Sequence, residues 1–110
     1  MARRGTGRSA VMDFVTKKLV TIVAESALEK RLVSSLHDAG IKGYTVSTVH
    51  GAGTRGQREG DLQGGNVKIE CVVGENHLDA IFTMLSTHFF PHYACVAWVS
   101  EVGVFRDERF

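Results

Sequence analysis

The chain has 110 residues, 44% hydrophobic and 23% charged, so it holds one domain with a packed core rather than a disordered segment. Its formal charge is +1, from 13 basic and 12 acidic residues, which excludes a generally basic nucleic-acid coat and an acidic solvating tail. No run approaches the roughly 18 apolar residues of a membrane helix. Met1-Ala2-Arg3-Arg4 leads into no apolar stretch because Asp13 interrupts it, so no secretory leader is expected and the chain reads as cytoplasmic.

Met1 to Thr16 lack a clear period and read as a flexible arm, with residues 17–110 forming the domain. Residues 1–18 carry a net charge of +4, which leaves about −3 for the remainder, and Met12 is an alternative start. Lys17–Ala24 is a β-branched run with the length of a buried strand. Ser26-Ala27-Leu28-Glu29 reads as a capping box, the Ser26 hydroxyl accepting from the Glu29 backbone and the Glu29 side chain reaching back. Leu28, Leu32, Leu36 and Ala39 follow at helical spacing and Gly40 is a fitting stop, which predicts a helix over Ser26–Ala39.

Gly43–Val49 returns to strand composition. Asn66–Val73 alternates, with Val67, Ile69, Cys71 and Val73 on one face and Asn66, Lys68 and Glu70 on the other, the pattern of a half-buried strand in an antiparallel sheet. Asn76-His77-Leu78-Asp79 reads as a second cap, and Leu78, Ile81, Phe82, Leu85 and Phe89 as an apolar helical stripe that Pro91 terminates. Ala94–Val99 is the last strand, extended or followed by a short one through Glu101–Phe105. The order βαββαβ predicts an α+β fold, the ferredoxin-like split βαβ sandwich, with both helices on one sheet face. The other face, solvated or buried in an oligomer, is expected to be polar but β-rich, carrying Thr21, Thr45, Thr48, Lys68 and Glu70.

Six of the 12 glycines (Gly51, Gly53, Gly56, Gly60, Gly64 and Gly65) fall between His50 and Asn66. Gly51-Ala52-Gly53-Thr54-Arg55-Gly56 matches G-x-G-x-x-G after a strand, but Gln57–Gly65 opens no helix, so the dinucleotide-fold reading fails. What remains is local: glycines let successive N–H groups converge on an anion, Thr54 adds a hydroxyl, and Arg55 and Arg58 add planar cationic forks. So long a loop in a compact domain is uncommon without a use. In Gly40-Ile41-Lys42-Gly43-Tyr44-Thr45, a helix C-cap explains Gly40 but not Gly43. Cys71 and Cys95 lie in apolar strand runs and read as buried thiols. His37 and His77 read as exposed helix residues, and His88 and His92 are separated by Pro91, so no metal site is expected. No Ser-His-Asp, Cys-His or P-loop arrangement is readable. Asn66–Val73 lacks the aromatics that stack RNA bases, so no nucleic-acid partner is expected.

Four pieces in order, Gly40–Val46 (G-I-K-G-Y-T-V), Gly51–Arg58 (G-A-G-T-R-G-Q-R), Asn66–Glu70 (N-V-K-I-E) and His88–Ala94 (H-F-F-P-H-Y-A), resemble the PII-like signalling proteins. The closest likeness is to the branch associated with bicarbonate transporters and carboxysomes, and it runs from about Lys17 to Phe105. The resemblance implies a homotrimer binding adenine nucleotides in clefts between subunits. It makes the glycine-rich segment the T-loop, which changes conformation with ligand and touches a target protein. It implies Gly51, Gly53, Thr54, Arg55 and Arg58 around phosphates, Gly43, Tyr44 and Thr45 near adenine and ribose, and Lys42 and Ala52 also at the nucleotide. It also implies Lys68 at the nucleotide and Phe90, His92 and Tyr93 on the short B-loop of the cleft wall.

The sequence departs from the nitrogen-regulatory pattern. The loop has no tyrosine to be uridylylated, the B-loop lacks a glycine-and-lysine phosphate clamp, and the tail is short, with Arg106 and Arg109 as substitute phosphate contacts. These departures point away from ATP and 2-oxoglutarate sensing. They favour AMP or ADP, with ATP and cyclic AMP as further candidates and bicarbonate as a second ligand. The function implied is a non-enzymatic sensor whose T-loop controls a partner in inorganic carbon uptake or fixation, a bicarbonate transporter or carboxysome component. The alternatives are a small trimeric enzyme or metal-tolerance-type protein of the same topology, and a purely structural assembly domain.

Overall fold

The computed structural model describes residues 14–50 and 65–106. Strand β1 (Val15–Glu25) runs through a 3₁₀ turn at Ser26–Leu28 into helix α1 (Glu29–Asp38), followed by β2 (Thr45–Val49). After the glycine-rich segment come β3 (Asn66–Val73), a 3₁₀ turn at Glu75–His77, helix α2 (Leu78–His88) and β4 (Cys95–Val104). The sheet order is β2-β3-β1-β4 with every neighbouring pair antiparallel, the ferredoxin-like arrangement. Among the described residues no helix is long and apolar enough to cross a membrane.

The alternation in β3 places Val67, Ile69, Cys71 and Val73 on the helix side, where Ile69 meets Ile22, Cys71 meets Val20 and Val67 meets Ala24. Leu28, Leu32, Leu36, Ile81, Leu85 and Phe89 cover that face and complete one core. Each fully buried Leu, Ile or Phe contributes roughly 1.5–3 kcal/mol of transfer free energy. Phe82 is not part of it: at 64% exposed it lies off the stripe formed by Ile81, Leu85 and Phe89, contrary to the expectation from spacing.

The helix starts differ from the sequence reading. Neither helix, nor either 3₁₀ turn before it, has a side-chain cap hydrogen bond. Ser26 forms no capping box; its backbone N–H donates to the Gly65 carbonyl at 3.1 Å, tying the start of the first helical segment to the foot of the glycine-rich segment. The end of α1 follows expectation. Gly40 takes φ +93°, its N–H donates to His37 and the Ile41 N–H to Leu36, a Schellman closure that carries Ile41 into the core beside Leu36.

β1 begins at Val15, so Val15 and Thr16, read above as arm, already pair with Val104 and Gly103. β4 is one continuous strand. His77, expected to be exposed, is half-buried against Gly40, and its Nδ1 is enclosed without a hydrogen-bond partner among the described residues.

On the open face the register aligns Thr45, Glu70, Thr21 and Trp98 in one row, and Ser47, Lys68, Val23 and Val96 in the next. Thr21 is 2% exposed between Glu70 and Trp98, so it is no surface residue. Thr48 pairs with Val67 and therefore belongs to the helix side, a second departure from the expected polar face.

Candidate functional site

The turn between α2 and β4 is built on Phe89, which is buried to 1%. Its carbonyl accepts from the N–H groups of His92 (3.0 Å) and Tyr93 (2.9 Å), while the Phe90 N–H donates to Leu85 at 2.8 Å. Pro91 suits this geometry, since it cannot continue the helix and lacks an N–H to satisfy. Phe90 and His92 are left exposed on a closed turn, with the His92 ring edge-on to Tyr93 at 6.1 Å. Tyr93 is held from outside the turn. Arg31 of α1 donates from Nη1 to the Tyr93 hydroxyl at 2.6 Å, and its guanidinium lies 5.3 Å from the Tyr93 ring and 5.8 Å from the Phe89 ring.

The glycine-rich segment leaves and returns at this same end. It departs after Val49 and rejoins at Gly65, next to Asn66; Asn66 faces both Val49 and Glu25, and the adjacent Ala24 faces Cys95. Gly51, Ala52, Gly53, Thr54, Arg55 and Arg58 lie outside the described residues.

The remaining predicted residues lie elsewhere. Lys42, Gly43 and Tyr44 are exposed between α1 and β2. Tyr44 lines an open groove of about 400 Å³ with Glu29, Lys30, Val33, Ser34 and His37. A Cβ on Gly43 would meet nothing within 4 Å and its φ lies outside the left-handed region, so neither the turn nor the packing within this chain demands glycine there. Thr45 and Lys68 are on the open sheet face. Arg106 follows the far end of β4, a 10-residue strand that separates it from Tyr93 by about 30 Å at the usual rise. One chain therefore brings Phe90, His92 and Tyr93 together at the root of the glycine-rich segment, and holds Arg106 beyond the far end of β4.

The chemistry on offer is that of binding. Lys42, Lys68 and Arg106 are cations suited to phosphate or carboxylate, and Tyr44, Phe90 and Tyr93 offer aromatic faces suited to a base. Burial pushes the Cys71 and Cys95 thiols up to about 11 from 9.0, so both stay protonated at neutral pH. Among the described residues no group of three or more His, Cys, Asp or Glu is placed to hold a metal ion. The larger groove, about 580 Å³ between α1 and α2, is lined by Asp38, Asp79, Thr83, Met84 and His88 among others and by none of the predicted site residues. Arg31 escaped the sequence reading: it lies 62 residues from Tyr93, on a helix face with no motif to mark it.

The family model for nitrogen regulatory protein P-II matches residues 17–109. Comparison with curated proteins finds no match. Among solved structures, a Thermus thermophilus protein described as PII-like signaling is 47% identical, with 90% of this chain and 99% of that one covered and a TM-score of 0.77. CPII of Thiomonas intermedia, solved with ADP and bicarbonate, is 24% identical over 90% of this chain and 98% of that one, with a TM-score of 0.78. CPII has also been solved with ADP, AMP and acetate, at 22% identity, 90% and 98% coverage and a TM-score of 0.77.

Proposed function

Since the chain belongs to the nitrogen regulatory protein P-II family, we propose that it is a non-enzymatic sensor of adenine nucleotides, with ADP or AMP as ligand and bicarbonate as a second one. The observation that carries the reading is the separation of Tyr93 from Arg106 along β4, which requires a site using both to be completed by a second copy. Clefts between the subunits of a homotrimer meet that requirement. The open sheet face supports such an assembly, since Val96 and Trp98 are 57% and 51% exposed there, large apolar groups for a surface left in water.

In this reading the base lies against Tyr44 and Thr45, where Gly43 leaves room for a close approach. The phosphates meet Arg55, Arg58 and the glycine N–H groups, with Lys42, Lys68 and Arg106 adding charge. Phe90, His92 and Tyr93 close the wall at the root of the T-loop. A nucleotide moves the loop only through contacts that differ between its states, and charge-assisted bonds from Arg55 and Arg58 supply that difference. The loop then governs a protein partner in inorganic carbon uptake or fixation. The presence of ADP, AMP and bicarbonate in CPII crystals of the same fold favours this ligand choice.

The test is calorimetric titration of the full chain, at known oligomeric mass, with AMP, ADP, ATP and cyclic AMP, with and without bicarbonate. The reading expects saturable binding of ADP or AMP at one site per chain, weakened by Arg55→Ala. Binding of none of the four contradicts it.

A further inference from the structure

We infer that Arg31 is a positioning residue for the nucleotide wall, acting through the Tyr93 hydroxyl. This rests on the reading that Phe90, His92 and Tyr93 face the nucleotide. Among the described residues Arg31 pairs with no carboxylate; its guanidinium is engaged by the Tyr93 oxygen and the two aromatic rings. The guanidinium donates into the phenol oxygen, so the Tyr93 O–H must point elsewhere and remains a donor for an acceptor outside the turn. The same contact joins α1 to a turn that its backbone hydrogen bonds and the packing of Phe89 and Tyr93 against the core also hold, and Phe90 and His92 extend from that turn. Holding them in one geometry before ligand arrives spares the ordering cost on binding, and the guanidinium charge raises the local attraction for an anion. Arg31 is exposed, so its loss removes this alignment without opening the core.

The experiment titrates ADP into the full chain as wild type, Arg31→Ala, Tyr93→Phe and the double variant, with melting temperatures measured alongside. Tyr93→Phe removes the acceptor and keeps the ring stack, so it separates the hydrogen bond from folding. R31A is expected to weaken ADP binding about tenfold, the scale of one charge-assisted hydrogen bond. Its melting temperature should fall by no more than a few degrees, and the two substitutions should combine to less than the product of their separate effects. Wild type that binds ADP while R31A binds within twofold of it overturns this inference alone, as do fully multiplicative effects. A drop in melting temperature with unchanged affinity also overturns it, by assigning Arg31 a structural role only. Wild type that binds no adenine nucleotide overturns the functional reading and this inference with it.

Discussion

Tyr93 and Arg106 stand at the two ends of β4, the strand Cys95–Val104. Because an extended strand is stiff, no rotamer change brings the two side chains together, and a ligand touching both must lie between copies of the chain. Tyr44 lines a groove with Glu29, Lys30, Val33, Ser34 and His37 of α1.

Core substitutions should be costly on the sheet face that the helices cover. Ile69→Ala removes a residue at 0% exposure opposite Ile22 and is expected to lower stability by about 2–5 kcal/mol in urea unfolding. Phe82→Ala, despite its place in an apolar stretch, should change stability by less than about 0.5 kcal/mol.

The two glycines flanking Lys42 should behave oppositely. Gly40→Ala forces a side chain into φ +93° beside His77 and is expected to cost about 1–2 kcal/mol. Gly43→Ala has open space around it and should leave stability within about 0.5 kcal/mol. Under the proposed function it weakens ADP binding all the same, and calorimetry beside urea unfolding reads both effects.

The two thiols, Cys71 buried and Cys95 only half-buried where a buried one was expected, predict a pH dependence. Cys71 and Cys95 titrate at about 11 in the folded chain against 9.0 ordinarily, so the native state holds their protons more tightly than the unfolded one. Their contribution to stability is therefore complete below pH 9 and lost as pH rises towards 11. A Cys71→Ser, Cys95→Ser double variant should show a shallower decline over that window, and the native thiols should react slowly with a disulfide reagent at about pH 7 until the chain is unfolded.

Much of this architecture is legible in the sequence, and the failures have physical causes. The strict alternation of Val67, Ile69, Cys71 and Val73 marks β3 to the residue, because one face of that strand is buried and the other is not. Gly40 is readable because a Schellman turn needs a left-handed residue. Ser26 misleads because its N–H is taken by Gly65, a residue brought close only by the sheet. Phe82 misleads because α2 buries a stripe narrower than its apolar composition. Thr48 misleads because it is three residues from Thr45 and so cannot share its face of the strand; the register opposite Val67 puts Thr48 on the helix side. In the candidate site, Phe90, His92 and Tyr93 are found as a contiguous segment, whereas Arg31 depends on a helix packing beside a distant turn and leaves no local signal.

The most direct test of a site completed between copies is complementation by subunit mixing. Tyr93→Ala and Arg106→Ala proteins are prepared separately, unfolded, mixed, refolded together and titrated with ADP. Each alone is expected to bind at least about tenfold more weakly than wild type. The mixture should regain a fraction of wild-type-affinity sites, formed where intact Tyr93 of one copy meets intact Arg106 of another. A mixture that binds no better than its two parents, or an Arg106→Ala protein that binds like wild type, contradicts the account.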